Sequence, residues 1–263
     1  MSYFASTWRN WLRWLAVVLV FAIACGFLSN WQFHRRQEKL VAIARVLDNF
    51  AKPAASIASV LPSLSSWQVE DEWRAVSVVG RYLPEKAVLV RNRPNSGQPG
   101  FEQLVPFVQA NSRVILVSRG WVATGNNQDS PDLNPLPSDS QRTITIRLRP
   151  TESHDGRTAP TGEVPNIEVT RVCKQLALSG CYARSYGRVY SDSSGDSTLK
   201  ALERPVTDEG NNLSYAIQWI VFAAMAFGAL FWMIRTERDR YLGRTRTKTR
   251  KTPTDEDVED SLS

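Results

Sequence analysis

Histidine and cysteine, which most often carry acid–base and zinc chemistry, are rare in this sequence. It has two histidines, His34 and His154, and three cysteines. A catalytic zinc site needs several nitrogen, sulfur or carboxylate ligands at short spacing, and neither H-E-x-x-H nor C-x-x-C occurs. There is also no G-x-S-x-G elbow and no P-loop. His154, in ESHDGRT, is typical of a solvated loop. We therefore predict a protein that is not an enzyme, with no catalytic residue and no metal site.

Two uncharged segments dominate the distribution of apolar residues. Residues 14–33 and 211–234 contain no Asp, Glu, Lys, Arg or His. Each is near the length that a helix needs to cross a hydrocarbon core of roughly 30 Å. We predict transmembrane helices at 14–33 and 213–234. A cleaved signal peptide is the alternative for the first segment, but its apolar run continues past Cys25 without a clear small-x-small cleavage site.

Basic residues after the second segment predict the orientation. Lys and Arg are enriched in cytoplasmic loops, and eight of them follow Ile234 before Pro253. We therefore predict a multi-pass protein of the cell membrane with cytoplasmic termini at 1–13 and 235–263. The domain at 34–210 is then extracytoplasmic.

The net charge of +6 invites the hypothesis of nucleic-acid binding. Residues 35–210, however, carry 22 basic and 19 acidic residues, and the final stretch TPTDEDVEDSLS is acidic. The positive charge therefore concentrates in the tail after Ile234. We interpret that tail as a topology determinant that meets the lipid bilayer, and we predict no nucleic-acid partner.

Between the two apolar segments the pattern is that of an α+β fold dominated by strands. Residues 40–50 have apolar side chains at helical spacing and should end before Pro53. Residues 167–178 predict a second helix that Gly180 would stop. The stretch PNSGQPG should be an ordered surface loop, and TGNNQDSPDLNPLPSDSQ a mobile one. The β-rich runs predict antiparallel strands and hairpins; they are WRAVSVVGRYL, AVLVRNR, FEQLVPFVQ, RVILVSRGWV, RTITIRLRP and YARSYGRVYS.

Two of the cysteines lie in the domain predicted to be extracytoplasmic. Cys173 and Cys181 flank the stretch KQLALSG. Disulfides persist in oxidising compartments, so a bond between these two residues is a hypothesis. Cys25 lies within the first apolar segment, where it is a small packing residue.

Four motifs in order carry a resemblance to a known family. WQFHRRQEK comes first, followed by VSVVGRYLPEKAVLVRNRPNSGQPGFEQLVPF, then VILVSRGWV, then LSYAIQW at the start of the second span. The set resembles the Surfeit locus protein 1 family, membrane-bound assembly factors of heme-copper cytochrome c oxidase. It covers roughly residues 28–234, including both apolar segments and most strands between them.

This resemblance implies a chaperone rather than a catalyst. Its partners would be the catalytic subunit of cytochrome c oxidase and the proteins of heme A synthesis or assembly. The chain would present heme A or stabilise the site while heme and copper are installed. The alternative is a membrane-tethered scaffold for another extracytoplasmic complex. The residues implied as motif or partner contacts are Trp31, Gln32, Arg35, Arg119, Gly120 and Trp121.

Structural explanations for these motif residues remain open. An indole at Trp31 anchors a helix at the membrane interface, and Arg119 with Trp121 would brace the sheet. Glycines of the motifs, among them Gly120, would serve tight turns or close backbone approach.

The start of the second span departs from the family pattern. Many members have a histidine, proposed as an axial heme ligand, where this chain has Asn212. Asn is a poor iron ligand, whereas neutral imidazole is a common one. The resemblance therefore leaves no firm cofactor, with heme A as a family-based possibility. The candidate heme contacts are Asn212, Tyr215, Gln218 and Trp219; alternatively, Asn211 and Asn212 cap the helix.

Overall fold

A computed structural model describes residues 3–193, 199–202 and 204–243. The fold is α+β, as predicted, with two long apolar helices flanking a β-rich domain. The helices are α1 (Tyr3–Ala51), α2 (Ile57–Val60), α3 (Val169–Gln175) and α4 (Asn212–Tyr241). The strands are β1 (Ala55–Ser56), β2 (Ala75–Tyr82), β3 (Val88–Val90), β4 (Gly100–Gln109), β5 (Val114–Ala123), β6 (Arg142–Pro150), β7 (Glu163–Val164) and β8 (Ser185–Asp192).

The chain divides into two compact units. The helical unit consists of residues 3–39 and 209–243, and the sheet unit of residues 40–208. Helix α1 contributes to both units. It continues without a break through the predicted span and the predicted following helix, and it ends at Ala51. The end falls just before Pro53, because the residue preceding a proline is disfavoured in helical geometry.

In the helical unit, α1 and α4 pack against each other as an antiparallel pair. Each is long and apolar enough to cross a membrane by length and composition. The Ser29 hydroxyl on α1 donates a hydrogen bond of 3.0 Å to the Ala216 carbonyl on α4. Both residues are buried, as is Cys25, which is 1% exposed. Small residues at this crossing let the two backbones approach closely.

The sheet unit is built around a closed ring of strands. β2 pairs with both β6 and β4, and β8 and β5 complete the ring in the order β2-β6-β8-β5-β4. Closure removes the free edges that would invite pairing with other chains. β3 and β7 extend the sheet beyond β4, and β1 adds to β2.

Gly80 permits the closure between β2 and β4. It pairs with Gln109, and a Cβ at this position would lie 2.2 Å from the Val108 carbonyl oxygen. No side chain fits at that distance, so the close approach of the two backbones requires glycine.

The predicted antiparallel pairings are present, and three parallel pairings between strands of the described chain accompany them. β5 and β8 run parallel, as do β1 with β2 and β3 with β7. β8 enters the ring after a long connection containing β7 and α3, and such a crossover can return a strand in either direction. β1 and β7 have two residues each, too few for an alternating pattern.

Two apolar clusters hold the sheet unit together. The larger fills the ring, where Tyr82, Phe107, Ile115 and Ile146 are fully buried. In the second, α3 packs Val172 and its neighbours against the outer side of β3, β4 and β5. Strand β4 is buried at its first eight positions. It therefore lacks alternation, because it is covered on both faces.

The long polar segment at 124–141 is fastened to the sheet at its centre. Gln103 Nε2 of β4 donates to Asn134 Oδ1 at 2.6 Å and to the Pro135 carbonyl at 3.0 Å. Arg142 donates to the Ser138 carbonyl at 3.2 Å. Side chains of β4 and β6 therefore fasten residues 134–138 of the loop that the sequence predicts to be mobile, and its mobility stays a prediction.

Candidate functional site

The residues singled out by the motifs fall into two groups, one in each unit. Trp31, Gln32 and Arg35 lie on α1, and the candidate heme contacts lie on the first turns of α4. Arg119, Gly120 and Trp121 lie together on β5.

On α1, the motif residues differ in exposure. Trp31 is 54% exposed, and Gln32 is half-buried. Arg35 is exposed and pairs with Glu38 of its own helix at 3.5 Å. The ion pair that ties α1 to the chain before α4 is made instead by Arg36, whose Nη2 lies 2.8 Å from Glu209 Oε2. Arg36 is thus a structural residue that the motif did not single out.

At the start of α4, Asn211 holds the N-cap position without a side-chain capping bond. Asn212 begins the helix, and its Nδ2 lies 3.5 Å from the Glu209 carbonyl, at the limit of a hydrogen bond. Neither side chain therefore stabilises the helix start in the usual way. Tyr215 is half-exposed, and Gln218 is exposed.

Trp219 lies against a second aromatic ring near the start of α4. It packs edge-to-face on Phe222 with ring centroids 5.7 Å apart and is half-buried. Tyr215 lies one turn earlier on the same helix face. The helix therefore presents two aromatic rings, an amide and no imidazole at its beginning.

These residues do not fit an axially ligated heme. Asn212 offers an amide, and the described residues contain no group of three or more His, Cys, Asp and Glu placed to hold a metal. Neutral imidazole, thiolate, thioether or phenolate are the usual protein ligands of heme iron. Tyr215, the phenol here, lies on a helix face shared with Trp219, and the first two turns of α4, residues 212–219, contain no His, Cys or Met beside it. The site can therefore offer ring packing and hydrogen bonding, without a ligand set for iron.

In the sheet unit, Arg119 connects the motif strand to the loop at 124–141. Its Nη1 donates to Gln103 Oε1 and, at 3.3 Å, to the Pro135 carbonyl. Its guanidinium carbon lies 5.4 Å from the centre of the buried Tyr82 ring. Burial, with Asp192 nearby, raises the pKa of Tyr82, so its phenol stays protonated. Arg119 thus braces β4, β5 and the loop.

Trp121 is held from several sides. Its Nε1 donates to the Arg93 carbonyl at 2.6 Å, and its ring covers Gly100, where a Cβ would lie 2.4 Å away. Lys200 Nζ lies 5.1 Å from the ring centre. Only 5% of Trp121 is exposed. The indole therefore fixes the PNSGQPG loop region against β5.

Gly120 allows another segment to pass directly over β5. A Cβ there would lie 2.6 Å from Leu199 Cβ and 2.9 Å from the Lys200 carbonyl oxygen. The Trp121 backbone amide donates to that same carbonyl at 2.8 Å. The residues of the SRGW motif therefore make their contacts within the sheet unit.

Arg93 is the charged centre beside Trp121. It makes two hydrogen bonds of 2.7 and 2.6 Å to the Glu152 carboxylate. Burial opposes the charged form, but the bonds to Glu152 and the charge of Glu102 raise the pKa of Arg93. Burial also raises the pKa of the adjacent Tyr186 to about 12, helped by Glu102 and Glu152.

The remaining sequence candidates lie at the edges of the sheet unit. Cys173, in α3, and Cys181 are disulfide-bonded, with Cα atoms 6.7 Å apart. His154 is exposed, and its Nδ1 contacts Glu168 at 3.1 Å and Arg171 at 2.9 Å. That setting is a surface charge cluster and not a catalytic pocket.

Sequence reasoning missed the residues that carry the buried polar contacts. Gln103 is fully buried at the centre of the Arg119 network, and Arg142 pairs with Asp192 at 3.2 Å between side chains only 3% and 5% exposed. Gln103 stood within the VPF motif region, but its role depends on a loop distant in sequence. Nothing in a single sequence marks such a partner.

Fold and site together define a class of protein with a closed β-rich unit and two helices able to cross a membrane. The SURF1 family model matches residues 19–224, and the chain belongs to this family. It is 32% identical over 224 residues to an uncharacterized SURF1-like protein of Mycobacterium tuberculosis H37Rv, covering 82% of this chain and 80% of the relative. A SURF1-like protein of Rickettsia conorii is 27% identical over 217 residues, covering 79% and 84%.

A eukaryotic relative carries a functional name. The cytochrome oxidase assembly protein SHY1 of Saccharomyces cerevisiae is 24% identical over 193 residues. The match covers 69% of this chain and 48% of the yeast protein.

Proposed function

We propose that this chain is an assembly factor for a heme-copper cytochrome c oxidase and acts without enzymatic activity of its own. The observation that carries the proposal is membership of the SURF1 family together with the yeast relative named as a cytochrome oxidase assembly protein. The buried polar residues of the site brace the sheet, which supports a structural role for them.

The protein acts from the membrane in this proposal. Segments 14–33 and 213–234 cross the bilayer, and the domain at 34–210 faces the extracytoplasmic side. Support comes from the apolar length of α1 and α4 and from Arg235, Arg238 and Arg240 directly after the second segment. The disulfide in the sheet unit fits an oxidising compartment.

The contribution to the oxidase is stabilisation of the catalytic subunit while heme A is installed. Asn212 supplies no axial ligand, so in this proposal heme retention does not depend on a bond from residue 212 to the iron. Trp31, Tyr215 and Trp219 instead offer aromatic surface on the helices. Such surface suits packing against apolar helices or a porphyrin face of the client subunit.

Affinity capture from membranes in mild detergent tests this function. The tagged protein should retain the oxidase catalytic subunit or proteins of heme A synthesis and assembly, identified by mass spectrometry. A tagged two-span membrane protein of another family serves as the control. Recovery of cell-envelope proteins without any oxidase component would favour a scaffold for another complex and contradict the proposal.

A further inference from the structure

A groove lined by arginines and aromatic rings lies in the sheet unit, apart from the SRGW motif. It begins as a hollow of about 220 Å³ and continues into a second of about 270 Å³ that shares Trp73, Arg188 and Arg204 with the first. We call this feature the arginine groove. Its defining residues are Phe50, Trp73, Arg147, Arg188, Tyr190 and Arg204.

Arg147 is the buried cation of the groove. It is only 7% exposed, and its guanidinium carbon lies 3.6 Å from the Phe50 ring centre and 4.6 Å from that of Tyr190. Its Nη1 donates to the carbonyls of Asn49 at 3.4 Å and Trp73 at 3.1 Å. These are neutral acceptors, and no carboxylate of the described chain forms an ion pair with Arg147.

This arrangement leaves a charge buried without its counterion. Arg147 Nε is buried and has no hydrogen-bond partner among the described residues. Burial lowers the pKa of Arg147; the hydrogen bond and charge interaction with Tyr190 oppose this shift, and the nearby charges of Arg204 and Arg74 add to it. Buried charges in proteins are ordinarily paired. The missing partner is thus an anion that the described chain does not supply.

The two other arginines strengthen the positive field. Arg188 has a side chain 19% exposed, and its ion pair with Glu102 is long, at 3.8 Å. Glu102 also accepts a hydrogen bond of 2.8 Å from Ser118. Arg188 Nε is a second buried donor without a partner in the described chain. Arg204 is exposed at the rim. Three guanidinium groups therefore line the groove, with Glu102 as the carboxylate among the described lining residues.

Backbone strain marks the same place. Trp73 has φ 68°, a left-handed conformation that is a genuine outlier for a bulky residue. Its ring stacks between arginines, 4.2 Å from Arg149 and 5.7 Å from Arg188. Residues held in such regions are strained, and they cluster at ligand-binding sites. The residue with this left-handed backbone, Trp73, is thus also one whose indole lines the groove.

The second half of the groove combines apolar walls with polar ones, among them Asn95 and Glu102. Pro94, Leu202, Pro205 and Val206 line it beside the arginines. A free phosphate would fill only the cationic end and leave these walls in contact with water. An extended chain that carries both carboxylates and apolar side chains would cover both halves.

We propose that the arginine groove binds an extended acidic segment of a partner protein. One carboxylate pairs with Arg147 and a second with Arg188 or Arg204, and an apolar side chain packs on Trp73 and Leu202. Planar guanidinium groups bind carboxylates in bidentate geometry. This interaction surface is independent of the oxidase assembly role.

Titration of the full-length protein in lipid nanodiscs tests the proposal. The probes are a fluorescein-labelled decapeptide of alternating Glu and Phe, the same peptide with Gln for Glu, and inorganic phosphate. The variants are Arg204→Gln at the exposed rim and Arg147→Gln in the buried position. Arg184→Gln serves as the matched control, because Arg184 is exposed and lines neither hollow. Thermal unfolding checks that each variant is folded.

We expect the acidic peptide to bind at least about tenfold more tightly than its Gln counterpart. Arg147→Gln should weaken binding by about thirtyfold, since losing one partner of a buried charge pair costs about 2 kcal/mol or more. Arg204→Gln should weaken it by about fivefold, and Arg184→Gln by less than twofold. If Arg147→Gln does not fold, the peptide affinity of Arg204→Gln tests the proposal by itself.

Three results would overturn the proposal. Equal binding of the two peptides would mean that charge is not recognised. Unchanged binding in Arg204→Gln would place the peptide elsewhere. Phosphate that binds as tightly as the peptide and displaces it would assign the groove to a phosphate group.

Discussion

Asn212 stands at the position where many members of the family have a histidine. It begins α4 and makes one long contact to the Glu209 carbonyl. An amide side chain gives heme iron no usual axial ligand. Any role in heme A installation therefore depends on packing and on partner residues.

Asn212→His tests this interpretation. We expect the wild-type protein, purified from cells that make heme A, to show little or no Soret absorbance. The substitution should increase heme retention, because it introduces imidazole at the helix start. Asn211→His at the preceding position is the control and should retain less. A strong wild-type Soret band that shifts in Asn212→Ala would contradict the interpretation.

The ion pair between Arg142 and Asp192 ties β6 to β8 inside the sheet unit. Both side chains are almost fully buried. Asp192→Asn keeps the shape but removes the negative charge of this buried pair, so the free energy of unfolding should fall by about 3 kcal/mol. Chemical denaturation monitored by tryptophan fluorescence measures the change.

Asp155→Asn is the matched control for Asp192→Asn. Asp155 pairs with Arg157 at the surface, where screening by water makes ion pairs weak. Its removal should leave the unfolding transition unchanged. Equal effects of the two substitutions would show that burial does not set the strength of the Arg142 pair.

At the scale of elements, the pairing of α1 and α4 depends on small residues. Ala216 is fully buried against α1 beside Ser29. Ala216→Leu should force the helices apart and destabilise their pairing by about 1–3 kcal/mol. Ala224→Leu, on the exposed side of α4, should have little effect. Thermal unfolding in detergent compares the two, and identical melting temperatures would argue against this packing.

The end of α3 is closed by the disulfide between Cys173 and Cys181, eight residues apart. Its presence in the protein as isolated remains a prediction, which thiol counting before and after reduction tests. Replacing both cysteines with serine should lower the free energy of unfolding by about 2–3 kcal/mol, from the loop-closure entropy of a short loop. Two free thiols in the unreduced protein would contradict the bond.

Local patterns in the sequence predicted most elements of the sheet unit. The β-rich runs correspond to β2, β3, β4, β5, β6 and β8, and the α1 end lies at Ala51, just before Pro53. These local patterns did not predict which distant strands would pair. The β2–β4 contact that closes the ring and the parallel β5–β8 pair depend on how a long connection folds back. Two-residue strands have no pattern to detect.

The sequence predicted only part of the candidate site, because the contacts of the site join residues that are distant in sequence. The motifs located Arg119 and Trp121, but their roles follow from Gln103, Arg93 and the 124–141 loop. On α1, neighbouring Arg35 and Arg36 look alike in sequence. Only the helix face turned towards Glu209 shows that Arg36 makes the pairing contact.

At the scale of the whole molecule, the proposed orientation has a direct test. Single cysteines are introduced at Ser153, in the sheet unit, and at Ser261, in the tail, in a background where Cys25, Cys173 and Cys181 are replaced by serine. A membrane-impermeant maleimide should label the first in intact cells and the second only after lysis. The basic residues that follow the second apolar segment are the reason for this expectation. The reverse labelling pattern would invert the topology.

The most direct test of the assembly role is deletion of the gene, followed by reduced-minus-oxidised difference spectra and oxidase activity of the membranes. The account predicts that heme A absorbance in the assembled oxidase and cytochrome c oxidase activity both fall, and that the wild-type gene restores them. Unchanged heme A absorbance together with unchanged oxidase activity would contradict the account.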